Sequence, residues 1–290
     1  MRIPGTNIVV DDFYTSDADY YALTHYHSDH RKGLRQGDTR SIICSTITLK
    51  LLISLNDVPV GNITAIDPGD QKKVSDDVTI KAYDANHCPG AVMFLFIVNG
   101  RKYLHTGDFR YCDRHDKHQE LFDDIDTLYV DSTFKSEEGN YYNHPSQEEA
   151  IEQIIKLITS NKDKTIYLGL YQIGKNRIIN AIHERLGIKV YVNEERRNIY
   201  SIIGMDEAVT TNPKESNIKG YAINYFYNHF KKQHPNYQAD SIVIIPTGWS
   251  HDRNNCNGFY YIPYSEHNSS DELKRFIEKV KPLNIIETNV

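Results

Sequence analysis

The sequence predicts an α/β protein in which a strand-rich first part is followed by alternating helices and strands. Residues 1–135 contain short apolar runs separated by polar segments, the pattern of β-strands. From about residue 140, apolar residues recur at helical spacing between further short apolar runs, which favours a partly parallel sheet. In the first part, polar residues cluster just after the predicted strand ends, and these residues are the candidates for function.

The length and composition describe a folded chain. The 290 residues fit one large domain or two modest ones, because single cores stop growing at about 250–300 residues. Apolar residues make up 39%, which excludes disorder, and no run approaches the roughly 18 apolar residues of a membrane span. The start, MRIPGTNIVV, has no apolar leader, so we expect no secretory signal. The four cysteines show no CxxC spacing, so we expect free thiols in a reducing compartment.

The net charge argues against a nucleic-acid ligand when it is taken alone. The chain carries 33 basic and 39 acidic residues, a formal charge of −6, whereas nucleic-acid-binding proteins usually carry a basic excess. The acidic excess is concentrated in residues 1–140, and the chain also has 13 histidines. Bound metal ions would offset part of this charge, and a bulk count does not include them.

The first part of the chain is predicted to contain seven strands and one helix. The dipeptide Asn99-Gly100 between two apolar runs is a strong β-hairpin signal. We expect a helix at 46–55 and strands at 3–10, 20–24, 41–44, 78–83, 91–98, 102–105 and 127–130.

The second part alternates between helices and strands. Ser146 and Glu149 form a capping box before isoleucines at helical spacing, Ser269 and Glu272 form another, and Gly187 ends a third predicted helix. We expect helices that begin at 146, 175, 194 and 269, and strands at 165–170, 188–192, 241–246 and 283–288.

Four residues with metal-ligand side chains directly follow the second predicted strand. In HYHSDH, His25 and His27 are two residues apart, so in extended backbone both imidazoles point the same way and can bind one ion. Asp29 and His30 come after a turn and can address a second ion. Three further candidates also follow strands: His87, Asp108 and His267.

These side chains suit zinc, which takes nitrogen and carboxylate ligands and keeps one position open in catalytic sites. Two ions ~3.5–4 Å apart can clamp the attacking and leaving oxygens of a phosphoryl displacement. Asp108 is the candidate for a bridging carboxylate. A lone HxH pair is explained equally well as ordinary loop residues, but the later His and Asp at strand ends favour a metal site. His105 is either a core residue or a support for this site.

Longer motifs resemble one family, the metallo-β-lactamase-fold nucleases with a β-CASP insert. Within that family the chain resembles the Artemis- and Apollo-like DNA cross-link-repair nucleases. HxHxDH alone indicates only the metallo-β-lactamase fold, whereas DANHCPGA, HTGDFR and the SEH segment together are specific to the nuclease branch. The matching stretches run in family order from residue 3 almost to the C-terminus: IPGTNIVVDDF (3–13), LTHYHSDHRKGL (23–34), DANHCPGAVMFLF (84–96), LHTGDFR (104–110), LYVDSTF (128–134), YQIGKNR (171–177), PTGWS (246–250) and IPYSEHNSSDELKRF (262–276).

The resemblance implies an architecture. A metallo-β-lactamase αβ/βα sandwich is expected from residues 1–140 and 258–290, with an inserted α/β β-CASP domain at 141–257.

The resemblance also implies site roles. It assigns His25, His27 and His87 to a first zinc ion. It assigns Asp29, His30 and His267 to a second ion, with Asp108 bridging. Asp11 matches the acid that orients the histidine loop, and Asp131 matches the first β-CASP motif. Asp11, Asp29, Asp108 and Asp131 are thus the predicted catalytic carboxylates, and Asp29 and Asp131 stand where a carboxylate can hydrogen-bond the attacking water.

A phosphate-binding pocket is expected near YQIGKNR. A Gly-Lys pair at a helix N-terminus offers backbone N–H groups, a positive dipole and an ammonium. Lys175 is the main candidate, with hydroxyl donors at Ser132, Thr133 and Ser265. The alternatives are an exposed lysine at a helix start and a turn serine.

The implied function is zinc-dependent hydrolysis of DNA phosphodiesters in the nucleus. The resemblance favours a 5′-to-3′ exonuclease on 5′-phosphorylated DNA, in cross-link repair or end processing. The alternative is an RNA-processing β-CASP nuclease, which would carry His on the last strand, where this chain has Asn289 or Val290. A thioester or lactam hydrolase would not need the long insertion before His267, and a metal-free scaffold would show broken ligand motifs. Endonuclease activity, the number of ions and the protein partners stay open.

Overall fold

The computed structural model describes residues 1–135, 143–250 and 254–288, and it confirms the predicted α/β class. The chain divides into two compact units, one of Met1–Asn143 with His267–Val290 and one of His144–Glu266. Residues 289 and 290, where the last β-CASP motif was expected, lie outside the described residues. No helix in the described ranges has the length and apolar character needed to cross a membrane.

Sixteen strands and seven α-helices are found in the described residues. The strands are β1 (Ile8–Val10), β2 (Tyr20–Ala22), β3 (Ile42–Cys44), β4 (Ile63–Ala65), β5 (Gln71–Ser75), β6 (Val78–Asp84), β7 (Val92–Val98), β8 (Arg101–His105), β9 (Thr127–Asp131), β10 (Thr165–Leu170), β11 (Val190–Tyr191), β12 (Val209–Thr210), β13 (Ile218–Ala222), β14 (Ser241–Thr247), β15 (Phe259–Pro263) and β16 (Asn284–Thr288). The helices are α1 (Thr46–Asn56), α2 (Gln147–Ser160), α3 (Asn176–Leu186), α4 (Glu194–Ile202), α5 (Ile223–Tyr225), α6 (Lys231–Gln233) and α7 (Ser270–Val280).

The first unit is built on two sheets. One is parallel, in the order β1-β2-β3-β4, and the other is mixed, in the order β16-β9-β8-β7-β6-β5. Buried residues of both sheets form one hydrophobic cluster, for example Val10 and Ile43 from the first sheet with Phe94 and Phe96 from the second. The two sheets therefore pack against each other through their apolar faces.

The predicted hairpin joins β7 to β8. Asn99 and Gly100 have φ of 49° and 80°, the left-handed conformations that a two-residue type I′ turn requires. Val98 then pairs with Arg101 directly after the turn. This hairpin fixes where β8 begins, and the loop after β8 carries Asp108.

The second unit contains one parallel sheet in the order β12-β11-β13-β10-β14-β15. Its core joins isoleucines of α2 and α3, such as Ile154 and Ile182, to Leu168 and Ile244 of the central strands. Ser146 caps α2 with the predicted capping box. Because β15 pairs in parallel with β14, residues 259–263 belong to this unit, whereas the sequence boundary at 258 placed them in the first domain.

Several elements were not predicted, or were predicted too long. β4, β5, β12, β13, β15 and the helical stretch from Ile223 to Gln233 were missed. β5 reads QKKVS and has no buried residue, and β13 carries Lys219 and Gly220, so neither shows an apolar strand pattern. The strand expected from residue 3 begins at Ile8, because Gly5 has φ of 72° in a turn in which Thr6 N–H donates to the carbonyl of Ile3.

Candidate metal centre

The predicted site residues of the first unit follow the C-terminal ends of its strands. Asp11 follows β1, and His25 and His27 follow β2. In the mixed sheet β6, β8 and β9 run in the same direction, so their C-terminal ends share one edge. His87 follows β6, Asp108 follows β8, and Asp131 is the last residue of β9.

Asp108 lies at the centre of four imidazoles. Its carboxylate oxygens are 3.1 Å from Nε2 of His30, 3.6 Å from Nε2 of His25, 3.6 Å from Nε2 of His87 and 3.8 Å from Nε2 of His267. The residue is 9% exposed. A single carboxylate in reach of four ring nitrogens is the arrangement expected of a ligand shared between two ions.

Three overlapping groups of side chains present ligand atoms within 4.8 Å of one another. They are His25, His27, His87 and Cys88; His25, His30 and Asp108; and His87, Asp108 and His267. In the first group Nε2 of His87 is 3.1 Å from Nδ1 of His27. Six of the seven predicted metal ligands thus come together. Asp29, the seventh, is half-buried and belongs to none of these groups.

Asp11 orients two of the histidines. It adopts φ of 51°, and its Oδ1 accepts from the Thr24 N–H at 2.8 Å. Its Oδ2 accepts from Nδ1 of His30 at 2.7 Å and from the Thr24 hydroxyl at 2.6 Å. Because that hydroxyl proton is used, the 3.1 Å contact from Nδ1 of His25 to Thr24 Oγ1 is a donation by the ring. In both histidines Nε2 therefore carries the lone pair.

Asp131 plays the corresponding role for His267. Its Oδ2 accepts from Nδ1 of His267 at 2.7 Å. Its Oδ1 accepts from the backbone N–H of Thr133 at 2.9 Å and from the Thr133 hydroxyl at 2.6 Å. Asp131 therefore fixes the ring of His267, and the water-binding role suggested for it by the sequence stays a prediction.

The residues present fit a metal cation. Nε2 of His25 and Nε2 of His30 are buried and have no aligned hydrogen-bond partner within the described residues. Buried polar atoms are almost always satisfied, so two lone pairs directed at a buried carboxylate call for a bound positive charge. Nitrogen and carboxylate donors are also the set that zinc and similar ions take.

The pKa shifts favour a neutral imidazole at His25 and a charged carboxylate at Asp108, whereas the two carboxylates beside His30 favour its protonated ring when no other cation is bound. Burial, followed by the neighbouring His30 and His27, holds the pKa of His25 well below its usual value. Burial would raise the pKa of Asp108, but His267 and His30 outweigh it, so the pKa lies well below the usual value. For His30 burial is again opposed, and Asp108 with Asp11 raises its pKa well above the usual value.

The loop that carries Asp108 is held by His105 and by close packing. Burial lowers the pKa of His105 to about 4, and its Nδ1 accepts from the N–H of Gly107 at 3.1 Å. Gly107 has φ of 53°, and a Cβ at this position would lie 2.7 Å from Oγ1 of Thr24. His105 therefore supports the site, which settles the alternative left by the sequence.

Other positioning residues were not predicted. The side chain of Asn86 donates to the carbonyl of Arg110 at 2.7 Å. Asn268 accepts from the N–H of Tyr111 at 2.8 Å and donates to the carbonyl of Phe109 at 2.8 Å. These amides tie the loops of His87 and His267 to the loop after Asp108. Their only signal in the sequence is that each stands next to a histidine ligand candidate.

The phosphate-binding candidates do not form one cluster within a unit. Lys175 is 2% exposed, its N–H donates to Oε1 of Glu266 at 2.7 Å, and its ammonium donates to the carbonyl of Pro246 and lies 4.0 Å from the centre of the Tyr171 ring. The backbone N–H and the ammonium of Lys175, which were predicted to bind a phosphate, therefore both donate to groups of the second unit. Thr133 donates its hydroxyl to Asp131. Ser132 lies in the first unit and Ser265 in the second, and both are buried.

Comparisons with known proteins support the same interpretation. Residues 14–163 match the beta-lactamase superfamily domain, and residues 205–290 match the DNA repair metallo-beta-lactamase family. The chain is 36% identical to the DNA cross-link repair 1A protein of Mus musculus over 99% of its own length and 30% of that protein. It is 32% identical to the 5′ exonuclease Apollo of Gallus gallus over 98% of its own length and 62% of that protein. The chain thus spans less than two thirds of each relative.

A solved structure shows the same fold. A protein of unknown function from Enterococcus faecalis V583 aligns with 94% of this chain and 76% of its own, with a TM-score of 0.67 and 16% identity. The family match and the whole-chain relatives together confirm the resemblance drawn from the motifs. The chain therefore belongs to the beta-lactamase superfamily, and its residues 205–290 are similar to the DNA repair metallo-beta-lactamase family.

Proposed function

We propose that the chain is a metal-dependent DNA nuclease that hydrolyses phosphodiester bonds. More narrowly, we propose a 5′-to-3′ exonuclease that acts on 5′-phosphorylated DNA in cross-link repair or end processing, in the nucleus. The carrying observation is the Asp108 carboxylate within 3.8 Å of four imidazole Nε2 atoms. The relatives named for DNA cross-link repair and for 5′ exonuclease activity support DNA as the substrate.

We propose zinc as the ion, held by His25, His27 and His87 at one position and by His30 and His267 at a second, with Asp108 between them. A divalent ion held there supplies Lewis acidity toward a phosphoryl oxygen and makes water a stronger nucleophile at neutral pH. Asp11 and Asp131 accept hydrogen bonds from Nδ1 of His30 and of His267. The Nε2 atoms of both rings are therefore the ones that can bind the ion.

We propose that the carboxylate of Asp29 accepts a hydrogen bond from the attacking water and then takes up its proton. It lies one residue before His30, it is half-buried, and it is outside the three ligand groups. Asp131 already accepts hydrogen bonds from His267 and Thr133, which supports assigning the proton transfer to Asp29.

For a terminal phosphate, the residues predicted from the sequence, Lys175, Ser132, Thr133 and Ser265, stay a proposal. Lys175 and Thr133 are less suited, since the ammonium of Lys175 and the hydroxyl of Thr133 already donate inside the fold. The 5′-phosphate requirement thus stays a proposal with its own test.

The deciding experiment is digestion of 3′-labelled oligonucleotides of one sequence, as DNA and as RNA, each with a 5′-phosphate or a 5′-hydroxyl. We expect stepwise shortening of the phosphorylated DNA, with the hydroxyl and RNA substrates cut slowly. Preferred cutting of the RNA would favour the RNA-processing alternative. Intact DNA and RNA in the presence of metal-loaded protein would exclude a nuclease.

A further inference from the structure

Two exposed aromatic side chains lie at one edge of the sheet in the second unit. Tyr171 directly follows β10, Trp249 comes two residues after β14, and each is 43% exposed. Since β10 and β14 are parallel neighbours, their C-terminal ends share this edge. Tyr and Trp rings are typical of recognition surfaces, and loops at strand ends often carry binding residues. These two rings are therefore candidates for a binding surface.

The strand order makes this edge the place where the chain connections diverge. The chain leaves β10 through α3 toward β11, on one side in the sheet order, and it leaves β14 toward β15, on the other side. In open parallel α/β sheets, ligands bind in the crevice outside the C-terminal ends of two such strands. Tyr171 and Trp249 therefore lie where the fold itself provides a binding crevice.

A buried ammonium supports the ring of Tyr171 from inside the fold. Nζ of Lys175 lies 4.0 Å from the centre of this ring, and the same ammonium donates to the carbonyl of Pro246. Lys175 is 2% exposed, so its charge covers one ring face from the interior, and the exposed surface of Tyr171 lies away from that face. An ammonium over a ring face is a favourable cation–π contact, and here it holds the orientation of the ring.

The charges around this edge suit a polyanionic ligand. Arg196 of α4 donates to the carbonyl of Tyr171 and is only half-buried, so it brings positive charge to the surface beside the ring. The carboxylate of Glu266 accepts from the Lys175 N–H at 2.7 Å, and Glu266 is buried, so this negative charge is turned inward. Glu266 also directly precedes His267 in the chain, so the segment bonded to this edge continues into a proposed metal ligand.

We propose that the rings of Tyr171 and Trp249 stack on unpaired bases of the DNA strand that the enzyme cuts. The inference rests on the proposed function, since it names the part of the substrate that this edge binds. Every base has a π face, so aromatic rings bind a single strand without reading its sequence, and each stacked base adds to the affinity. Bases in a duplex are already stacked on one another, so this surface favours single-stranded DNA.

The first test uses the intrinsic fluorescence of the zinc-loaded chain. Trp249 is the one tryptophan in the sequence, so the tryptophan emission reports on this edge alone. A short thymidine oligonucleotide with phosphorothioate linkages, which resist hydrolysis, is titrated in parallel with an abasic strand of the same length and linkage. We expect the thymidine strand to quench the emission and the abasic strand to leave it nearly unchanged. Equal quenching by both strands, or quenching by neither, would overturn the proposal.

The second test examines Tyr171 by substitution. For Tyr171→Ala we expect the dissociation constant of the thymidine strand to rise about fivefold or more, and that of the abasic strand to stay the same. Tyr171→Phe keeps the ring and should bind like the wild type. Tyr227→Ala is the matched control, because Tyr227 is 46% exposed in the same unit but lies in the helical stretch after β13. Wild-type affinity of Tyr171→Ala for the thymidine strand would contradict the proposal.

The two proposals fail in different ways, because binding is measured on strands that resist cleavage. A protein whose emission is quenched by the thymidine strand alone, but which leaves ordinary DNA intact, would support the stacking surface and count against the nuclease function. A protein that digests DNA but is quenched equally by the thymidine and abasic strands would support the nuclease and overturn the stacking surface.

Discussion

Among single residues, Asp108 lies close to the largest number of imidazole rings in the metal centre. It faces four histidines, and the buried Nε2 atoms of His25 and His30 have no aligned hydrogen-bond partner in the described part of the chain. Its position follows from the end of β8, the left-handed Gly107 and the support of His105.

Removing the charge of Asp108 should disable the centre with little change in shape. For Asp108→Asn we expect a loss of at least one bound zinc per chain and a drop in DNA hydrolysis of about a hundredfold or more. Elemental analysis of the dialysed protein and the initial cleavage rate measure the two effects. Wild-type zinc content in the variant would contradict the bridging role.

The carboxylate of Asp131, which orients His267, should contribute less to zinc binding than the carboxylate of Asp108. Asp131→Asn keeps the size of the side chain but weakens the hold on Nδ1 of His267, so we expect zinc affinity to fall about 10- to 100-fold. Thr133→Val removes only one of the bonds to Asp131 and is expected to have a smaller effect. Competition with a chromophoric chelator measures both affinities, and a larger effect of Thr133→Val would count against this order.

The buried side chain of Lys175 should make the free energy of unfolding depend on pH. Burial lowers its pKa from the usual 10.5 to about 7, with Glu266 acting in the opposite sense. Between these values the unfolded chain binds more protons at this residue than the folded chain, so its contribution to the unfolding free energy rises with pH. We expect Lys175→Met to lose this rise in urea denaturation between pH 7 and pH 10, and the exposed Lys274→Met to keep it. If the unfolding free energy changed equally with pH in both variants, the Lys175 ammonium would have to be in contact with water in the folded state.

The roles of individual residues could be predicted only in part. Six metal-ligand candidates that come together were visible because each is a His or Asp in a polar segment that follows a strand. The hydrogen bonds of Asp11 and Asp131 to ring nitrogens, and the ties made by Asn86 and Asn268, depend on loops far apart in sequence. The sequence shows which side chains can form hydrogen bonds, but it does not show which of them lie close together in the fold.

Among the elements, α7 packs against the loop that follows Asp108. Arg110, two residues after Asp108, donates through Nε and Nη2 to the carboxylate of Glu272 at 3.0–3.1 Å. Phe109 and Tyr111 pack against Phe276, with ring centroids 4.8 and 5.4 Å apart. The helix therefore holds both the loop after Asp108 and the segment that begins with His267.

Breaking this ion pair should destabilise the fold. For Glu272→Gln we expect a loss of about 1–3 kcal/mol in unfolding free energy, because the side chain of Arg110 is only 5% exposed and loses a charged partner. Urea denaturation measures it, with Lys274→Gln on the exposed face of the same helix as the control. Equal midpoints for wild type and Glu272→Gln would show that the pair adds nothing.

Elements with strong local signals were predicted well, and those without them were missed. The capping boxes at Ser146 and Ser269 and the Asn99-Gly100 turn are short patterns whose bonds form within a few residues. By contrast, β13 is a strand because it pairs with β10 and β11, although Gly220 lies in its middle. Such strands are determined by their neighbours in the sheet and not by their own composition.

For the whole molecule, the formal charge of −6 does not take account of the metal centre. Asp11, Asp108 and Asp131 belong to the metal centre, and their charges face histidines or backbone and hydroxyl donors within the fold. Two divalent ions would offset four of the six negative charges. The charge balance therefore does not argue against the DNA substrate that we propose from the relatives.

The most direct test of a metal-dependent DNA nuclease centred on Asp108 is a chelation and restoration assay. Digestion of 5′-phosphorylated, 3′-labelled single-stranded DNA is followed with untreated protein, with chelator-treated protein, and after zinc is returned. We predict cleavage, loss of cleavage and recovery for the wild type, and no cleavage at any stage for Asp108→Asn. Full activity after verified removal of the metal, or wild-type cleavage by Asp108→Asn, would contradict the account.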